Sequence, residues 1–438
     1  MFDDCISSQE RACLGGLSPA EAQVDENEEI NNLHERTCGL RRLYNSAASI
    51  NAKLPVEILV EIFRLAGPSF GPKEAIRLTH VCHAWRTLIH GTPVYWIDFL
   101  FPPPGHFLIG DTMKSASVVL GAITRSAPMR IKMGLYGDFL PALRHPAAEA
   151  HLHRITILHL DCRTMDDRDM RPFFDLSLPS LESLVVRMNC FIAIRPKNIS
   201  AESPARFPRL RSLKTTCTSF PLAWVGAPLR VLEIWAVEEE AATPREVCHL
   251  RCCFLRSIPE LFKVLGRCPD LEQLRLSGCL PCRGPKWDRD PAVPTPRLDR
   301  LAKFEINDDT ELTRLFLEYF SPPRETFIAI CTDSSYDALS EFLPAKDTLL
   351  ALPLIQQVVC SACRPEEVYP HTVYGFAEAA DGMYRARLAV LSSDKSVLHP
   401  WGRREVRDTI DLLRFFRGFA PIFSPAAVVG LDGSQINL

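Results

Sequence analysis

Six times along this chain an apolar residue is followed by another three places on and a third two places after that. The triplets are Ile155, Leu158, Leu160; Leu181, Leu184, Val186; Leu210, Leu213, Thr215; Leu229, Leu232, Ile234; Leu271, Leu274, Leu276; and Leu301, Phe304, Ile306. Thr215 is the one polar member. The middle positions stand 26, 29, 19, 42 and 30 residues apart. Proline often comes shortly before, at Pro179, Pro208, Pro228, Pro269 and Pro296. The two-residue step closing each triplet is strand periodicity, so the triplet faces inward and its alternate residues face out. Helical pieces lie between, such as 258–265 with Leu261, Phe262 and Leu265 on one side. Strands and connectors recurring at this interval predict stacked units sharing one core and showing a ribbon of variable side chains. The expected fold class is therefore α/β.

The clearest unit is Cys268-Pro-Asp-Leu-Glu-Gln-Leu-Arg-Leu-Ser-Gly-Cys279. It resembles a leucine-rich repeat, with a cysteine at the asparagine-like position. Asn189 fits the same place after Val186. The other units are degenerate. The longest gap holds the acidic run Glu238-Glu239-Glu240, read as a solvated excursion. The resemblance implies a leucine-rich-repeat-like α/β solenoid over 151–430. The competing reading is a generic α/β domain with several leucine-rich strands. Outward positions are His159, Asp161, Val185, Arg187, Lys214, Thr216, Glu233, Trp235, Arg275, Ser277, Glu305 and Asn307. Trp and Arg are frequent anchors in protein recognition, so Trp235 and Arg275 are the expected target contacts.

Residues 54–101 have a different character. Pro55 suits a first helical position and Glu57 the positive end of the helix dipole. Ile58, Leu59, Ile62, Phe63 and Leu65 follow helical spacing, and Gly67-Pro68 ends the run. A second helix follows Gly71-Pro72 with Ala75, Ile76, Leu78 and Thr79. Val81, Cys82, Trp85, Leu88 and Ile89 mark a third apolar face, stopped by Gly91-Thr92-Pro93. Tyr95, Trp96, Ile97 and Phe99 are expected as a bulky extended plug. So short a unit cannot bury all these side chains internally, and the remainder calls for a partner or for the following domain.

The order Leu54-Pro55, Glu57-Ile58-Leu59, Ile62-Phe63, His80-Val81-Cys82, Trp85-Arg86, Thr92-Pro93 and Trp96 resembles the F-box in the form common in fungal (basidiomycete-type) F-box proteins. The resemblance covers about a tenth of the chain. It implies a small helical unit over 51–101 that docks on the Skp-type adaptor and through it a cullin. By the same resemblance Leu54, Pro55, Ile58, Leu59, Ile62 and Val81 are candidate adaptor contacts. Trp85 and Trp96 are counted with them as organisers of the unit. A helical subdomain of ordinary core residues is the competing reading.

Before this unit a helix is expected over 28–50, with Ile30, Leu33, Thr37, Leu40, Tyr44 and Ala47 near a heptad seam. It is either a short coiled coil or a helix packed on the F-box. Residues 1–27 are expected to be disordered. Residues 102–150 read as a linker and an N-terminal capping unit. That unit has a helix over 117–124 and a strand placing Met129, Ile131 and Met133 on one face. A helix over 410–416 is expected to cap the other end.

Bulk properties narrow the function. The 438 residues carry a net charge of -3 and a sequence pI near 6.5, with no electrostatic footprint for nucleic acid. No apolar run is long enough to span a membrane. The acidic start lacks a secretory core, so the chain is expected in the cytoplasm, the nucleus or both. The 16 cysteines are below the density of a disulfide scaffold. The pairs Cys279/Cys282 and Cys360/Cys363 are too far apart for a compact zinc site, and Cys248, Cys252 and Cys253 beside His249 are read as core. No metal and no cofactor are expected. The chain lacks a Walker-type phosphate loop and HExxH, and its GxSxG match, Gly67-Pro68-Ser69-Phe70-Gly71, lies in a Gly/Pro break between two helical stretches and not on a strand-to-helix turn, so no catalytic residue is assigned and no enzyme activity is expected. The leading expectation is a substrate-recognition subunit of an SCF-type (Skp-cullin-F-box) ubiquitin ligase. The alternatives are a scaffold acting outside any ligase and an enzyme built on an unrecognised α/β domain.

Overall fold

A computed structural model describes residues 19–46, 53–68, 72–101, 116–136, 140–162, 176–188, 207–216, 228–235, 258–280, 295–320, 322–332, 357–362, 371–378, 383–392 and 428–431. The chain divides into two compact units, 1–114 with 121–129, and 115–120 with 130–438. Among the described residues no helix is long and apolar enough to cross a membrane.

The first unit is helical. Helix α1 (Pro19–Ser46) precedes α2 (Val56–Ala66), α3 (Pro72–Thr79), α4 (His83–His90) and α5 (Pro93–Leu100). Two expectations change here. Residues 19–27, expected to be disordered, belong to α1: Pro19 opens it, and Ala20, Glu21, Ala22 and Gln23 are strong helix formers. The supposed extended plug is the helix α5. Pro93 starts it, and the helical turn places Tyr95, Trp96, Phe99 and Leu100 together in the core. On α1 the heptad residues Ile30, Leu33, Leu40 and Tyr44 are exposed, while Cys38 is half-buried on another side. Ala47 lies outside the described residues.

Among the described residues the second unit is built on a twelve-stranded sheet in the order β1-β2-β3-β4-β5-β6-β7-β8-β11-β10-β9-β12. Its strands are β1 (Ile131–Tyr136), β2 (Ile155–Cys162), β3 (Ser183–Met188), β4 (Ser212–Thr216), β5 (Val231–Trp235), β6 (Gln273–Ser277), β7 (Lys303–Asn307), β8 (Phe327–Thr332), β9 (Gln357–Ala362), β10 (His371–Glu378), β11 (Tyr384–Ser392) and β12 (Val428–Leu431). Each of the six apolar triplets ends in one strand from β2 to β7, and neighbours pair in parallel in chain order. The middle residues Leu158, Leu184, Leu213, Leu232, Leu274 and Phe304 form one row, each 0–1 % exposed.

A repeated turn sets this register. The first leucine of a unit donates its N–H to the carbonyl three residues back: Leu181 to Leu178, Leu210 to Phe207, Leu271 to Cys268 and Leu301 to Leu298, all at 2.9–3.1 Å. The next residue then donates to the preceding unit. Glu182 bonds Thr156, Arg211 bonds Glu182, Arg230 bonds Arg211, Glu272 bonds Arg230, Ala302 bonds Glu272 and Phe327 bonds Ala302, at 2.8–2.9 Å. Leu178, Phe207, Cys268 and Leu298 are themselves buried, which adds a fourth apolar position to the repeat.

The sheet includes the strand expected in the capping stretch and changes character beyond β8. Strand β1 lies inside the stretch read as linker and cap, and pairs in parallel with β2. Its inward residues are Ile131, Met133 and Leu135. Met129, expected with them, is 41 % exposed because the strand starts only after the Ala127-Pro128 turn. Beyond β8 the stacking becomes mixed: β11 pairs in parallel with β8, and β10 runs antiparallel to both β11 and β9. The expected 410–416 helix, the acidic run 238–240, Asn189, Cys248, Cys252, Cys253, Cys282 and Cys363 lie outside the described residues.

Helices also precede and follow the strands. Helix α6 (Ala116–Arg125) comes first, and the short turns α7 (Leu140–Leu143) and α8 (Pro146–Glu149) follow β1. Helix α9 (Ile258–Leu265) brings Phe262 to Phe316 and Phe320 of the α10 (Thr310–Tyr319) region. Phe304 joins them, its ring centroid 5.3 Å from Phe320. Asp309 caps α10, its Oδ1 accepting from the N–H groups of Glu311 and Leu312. Asp308 is buried and ties two units: its Oδ2 accepts from the N–H of Leu280 at 2.9 Å. Gly278 permits this close approach by holding φ at 59° while its N–H bonds the Asn307 carbonyl.

Phe316→Ala should destabilise the chain by about 3–5 kcal/mol, the usual cost of emptying a closed aromatic site. Val185→Ala, half-buried on the opposite face, should cost less, about 1 kcal/mol. Urea unfolding followed by far-ultraviolet circular dichroism checks both.

Candidate functional site

Helix α2 is apolar on two faces. Leu59 and Phe63 are buried, while Ile58, Ile62 and Leu65 remain 48, 39 and 66 % exposed. Both sets obey i, i+3, i+4 spacing, but one helix packs only one of them on its own unit. Val56 and Val81 are also more than half exposed. Beside α2 an open groove is lined by Ala66, Glu74, Arg77, Leu78 and Val81. Arg77 bonds Glu74 at 2.8 Å within it. Full burial of an aliphatic side chain contributes about 1.5–3 kcal/mol, so these part-exposed groups offer a partner roughly 1 kcal/mol apiece.

The core beneath is held by aromatic side chains that satisfy their own polar atoms. Tyr95 donates its hydroxyl to the Ala75 carbonyl at 2.7 Å, and burial raises its pKa well above the ordinary value. Trp96 donates Nε1 to the Ile89 carbonyl at 3.0 Å and meets Tyr95 and Phe99 edge-on. Arg125 lies over its ring at 5.1 Å, a cation–π contact. Phe63 and Trp85 pack with ring centroids 4.6 Å apart. Gly67 admits the Tyr95 hydroxyl: a Cβ there would stand 2.6 Å from it.

Polar links fix the helices. Arg64 of α2 donates Nε to Asp98 of α5 at 2.6 Å, and that bond holds its guanidinium pKa above the ordinary value. Arg86 of α4 donates Nε to the Thr79 carbonyl closing α3. Cys82 stands extended between α3 and α4, its Sγ accepting from the Trp85 N–H. Pro55 sits one residue before α2, where its carbonyl accepts from Ile58 and Leu59.

The expected contact residues therefore separate. Pro55, Ile58, Ile62 and Val81 are exposed together, and Leu54 is half-buried. Leu59 and Trp96 are 5 and 4 % exposed and pack in the core of the unit: α2 turns Leu59 inward with Phe63, and α5 turns Trp96 beneath α4. Trp85 is half-buried against Phe63. Val56, Leu65 and Leu78 were not singled out as contacts. The 58–62–65 spacing was the signal for Leu65.

On the sheet, Trp235 is half-buried at the end of β5, between Thr216 and Ser277. Arg275 is engaged by Glu305 at 2.9 Å. Asp161 and Thr216, expected to stand outward, are buried. Cys268 and Cys279 are core, and burial pushes the Cys268 thiol up to about 12. Among the described residues no three His, Cys, Asp or Glu side chains gather as metal ligands.

Trp96→Ala should cost about 3–5 kcal/mol and melt the helical unit, whereas Ile58→Asp should leave its helicity unchanged by circular dichroism. A pH effect follows from His90, packed against the Trp96 ring. Burial first, then the charges of Arg125 and Arg86, lower its pKa. Its contribution is full above the unfolded value of about 6.5 and falls as pH drops through the lowered folded value. His90→Gln should therefore flatten the decline of the melting temperature between neutral and mildly acidic buffer, read by thermal scans.

No curated protein matches the chain. Residues 52–101 match the F-box-like family model. The span covers α2 to α5 with the exposed apolar face and the groove beside it, so the chain carries an F-box-like domain.

Proposed function

We propose that this chain is the non-catalytic target-recognition subunit of an SCF-type ubiquitin ligase. The observation that carries the reading is the second apolar face of α2. Ile58, Ile62 and Leu65, with Val81 nearby, are left in water by the unit that holds them. An F-box-like domain with such a face has the surface to dock on a Skp-type adaptor, and through it a cullin. Pro55 and Leu54 extend the surface at the start of α2.

The sheet unit then serves as the target holder. Parallel strands β2–β7, joined by the recurring turn and hydrogen-bond chain, support a leucine-rich-repeat-like solenoid of degenerate units. Its outward residues would hold a target close to the ubiquitin-charged enzyme, acting by effective concentration and not by chemistry. Neither nucleic acid nor membrane enters the scheme, and work of this kind places the chain in the cytoplasm, the nucleus or both.

Co-purification with a fungal Skp-type adaptor is the test. Wild type should form a stoichiometric complex. Ile58→Asp should weaken it about 100-fold, because a carboxylate would be buried in an apolar contact. A folded wild type that ignores the adaptor would leave α2–α5 as a structural cap. An adaptor complex that recruits no cullin would point to a scaffold acting outside the ligase.

A further inference from the structure

The outward face of β4–β7 pairs its charges internally, three cations over two carboxylates. Lys214, Glu233, Arg275 and Glu305 occupy one row on successive strands in direct register. Their signs alternate. Lys214 reaches Glu233 at 2.7 Å, Arg275 reaches Glu305 at 2.9 Å, and Lys303 meets the other Glu305 oxygen at 3.4 Å. The two glutamates are sunk in the face, each side chain 17 % exposed, and the cations lie over them. Opposite charges facing each other across strands are stabilising pairs. A phosphate or carboxylate arriving here would have to compete for cations already matched, and would meet the sunk carboxylates beneath.

His159, in the same row on β2, adds little positive charge. Burial first, then the charges of Arg187 and Lys214, lower its pKa. The neighbouring row is uncharged: Thr216, Trp235, Ser277 and Asn307 follow one another across β4–β7. Trp235 is its one large aromatic, half-buried and flanked by small polar groups. The described helices α9 and α10 bring their aromatic side chains to the opposite, inward face at Phe304.

We propose that the outward face of β4–β7 takes an extended, uncharged polypeptide segment anchored on the Trp235 ring, in preference to a phosphorylated or acidic one. The proposal rests on the target-recognition reading above and names the chemistry of the target. Alternating charges set the background, Trp235 supplies apolar contact, and Ser277 and Asn307 offer hydrogen bonds to a backbone.

The test uses the full chain co-purified with a Skp-type adaptor and a peptide array in three matched forms: unmodified serine, phosphoserine and aspartate. The unmodified forms should be retained best, and phosphorylation should weaken retention about fivefold or more. Trp235→Ala should reduce retention about tenfold, with Trp235→Phe between it and wild type. The Glu233→Gln, Glu305→Gln double variant keeps Trp235 but unmasks Lys214, Arg275 and Lys303, so it should gain about tenfold for the phosphoserine forms. Wild type that prefers phosphoserine overturns the proposal. So does undiminished binding by Trp235→Ala, or an array that retains nothing while the adaptor complex forms. Retention of the unmodified peptides by chain that does not bind the adaptor would support this surface and sink the ligase reading instead.

Discussion

Each unit of the sheet hangs on the one before it by a backbone hydrogen bond. The residue after a unit's first leucine donates to its counterpart in the preceding unit, from Thr156 through Glu182, Arg211, Arg230, Glu272 and Ala302 to Phe327. That chain fixes strand register. Since strand side chains alternate with a period of two, a slip of one residue would turn every leucine to solvent and every charge inward. The closed row from Leu158 to Phe304, the aromatic cluster under it and the outward charge row all follow from this register. Intervals as different as 19 and 42 residues are tolerated because the connection between strands does not enter the register.

The helical unit solves another problem. It is too small to enclose its own apolar side chains. Tyr95, Trp96, Phe63 and Trp85 give it a core whose polar atoms are satisfied internally. What remains outside is a second apolar stripe on α2 and the groove at Leu78 and Val81. A surface held rigid by a satisfied core presents its contacts with little ordering left to do on binding. One face of α2 thus serves stability, and the other is the face proposed here for recognition.

Much of this was legible in the residues. The triplets located six strands, and Gly67-Pro68, Gly71-Pro72 and Gly91-Thr92-Pro93 bounded the helices of the F-box-like unit. The errors share a cause. Tyr95, Trp96, Ile97 and Phe99 looked extended because bulky aromatics favour strands in isolation, yet burial on both sides made them a helix. The F-box resemblance groups Leu59 with Ile58, and only packing shows that one turns in and the other out. Residues 19–27 looked unstructured because they lack an apolar face, although their helix propensity is high.

Local chemistry written along the chain thus specified the strand positions, the helix stops and the inward or outward sense of each triplet, because periodicity and turn residues act over a few neighbours. Partnership across strands was not written there. Nothing in the spacing says that Glu233, Arg275 and Glu305, far apart in sequence, share one row, or that Arg275 is matched by a sunk carboxylate. Nor does it say that Asp308 reaches back to Leu280, or that the sheet turns mixed after β8. These contacts join residues separated by whole connections. Their geometry exists only once register and burial have brought the strands side by side.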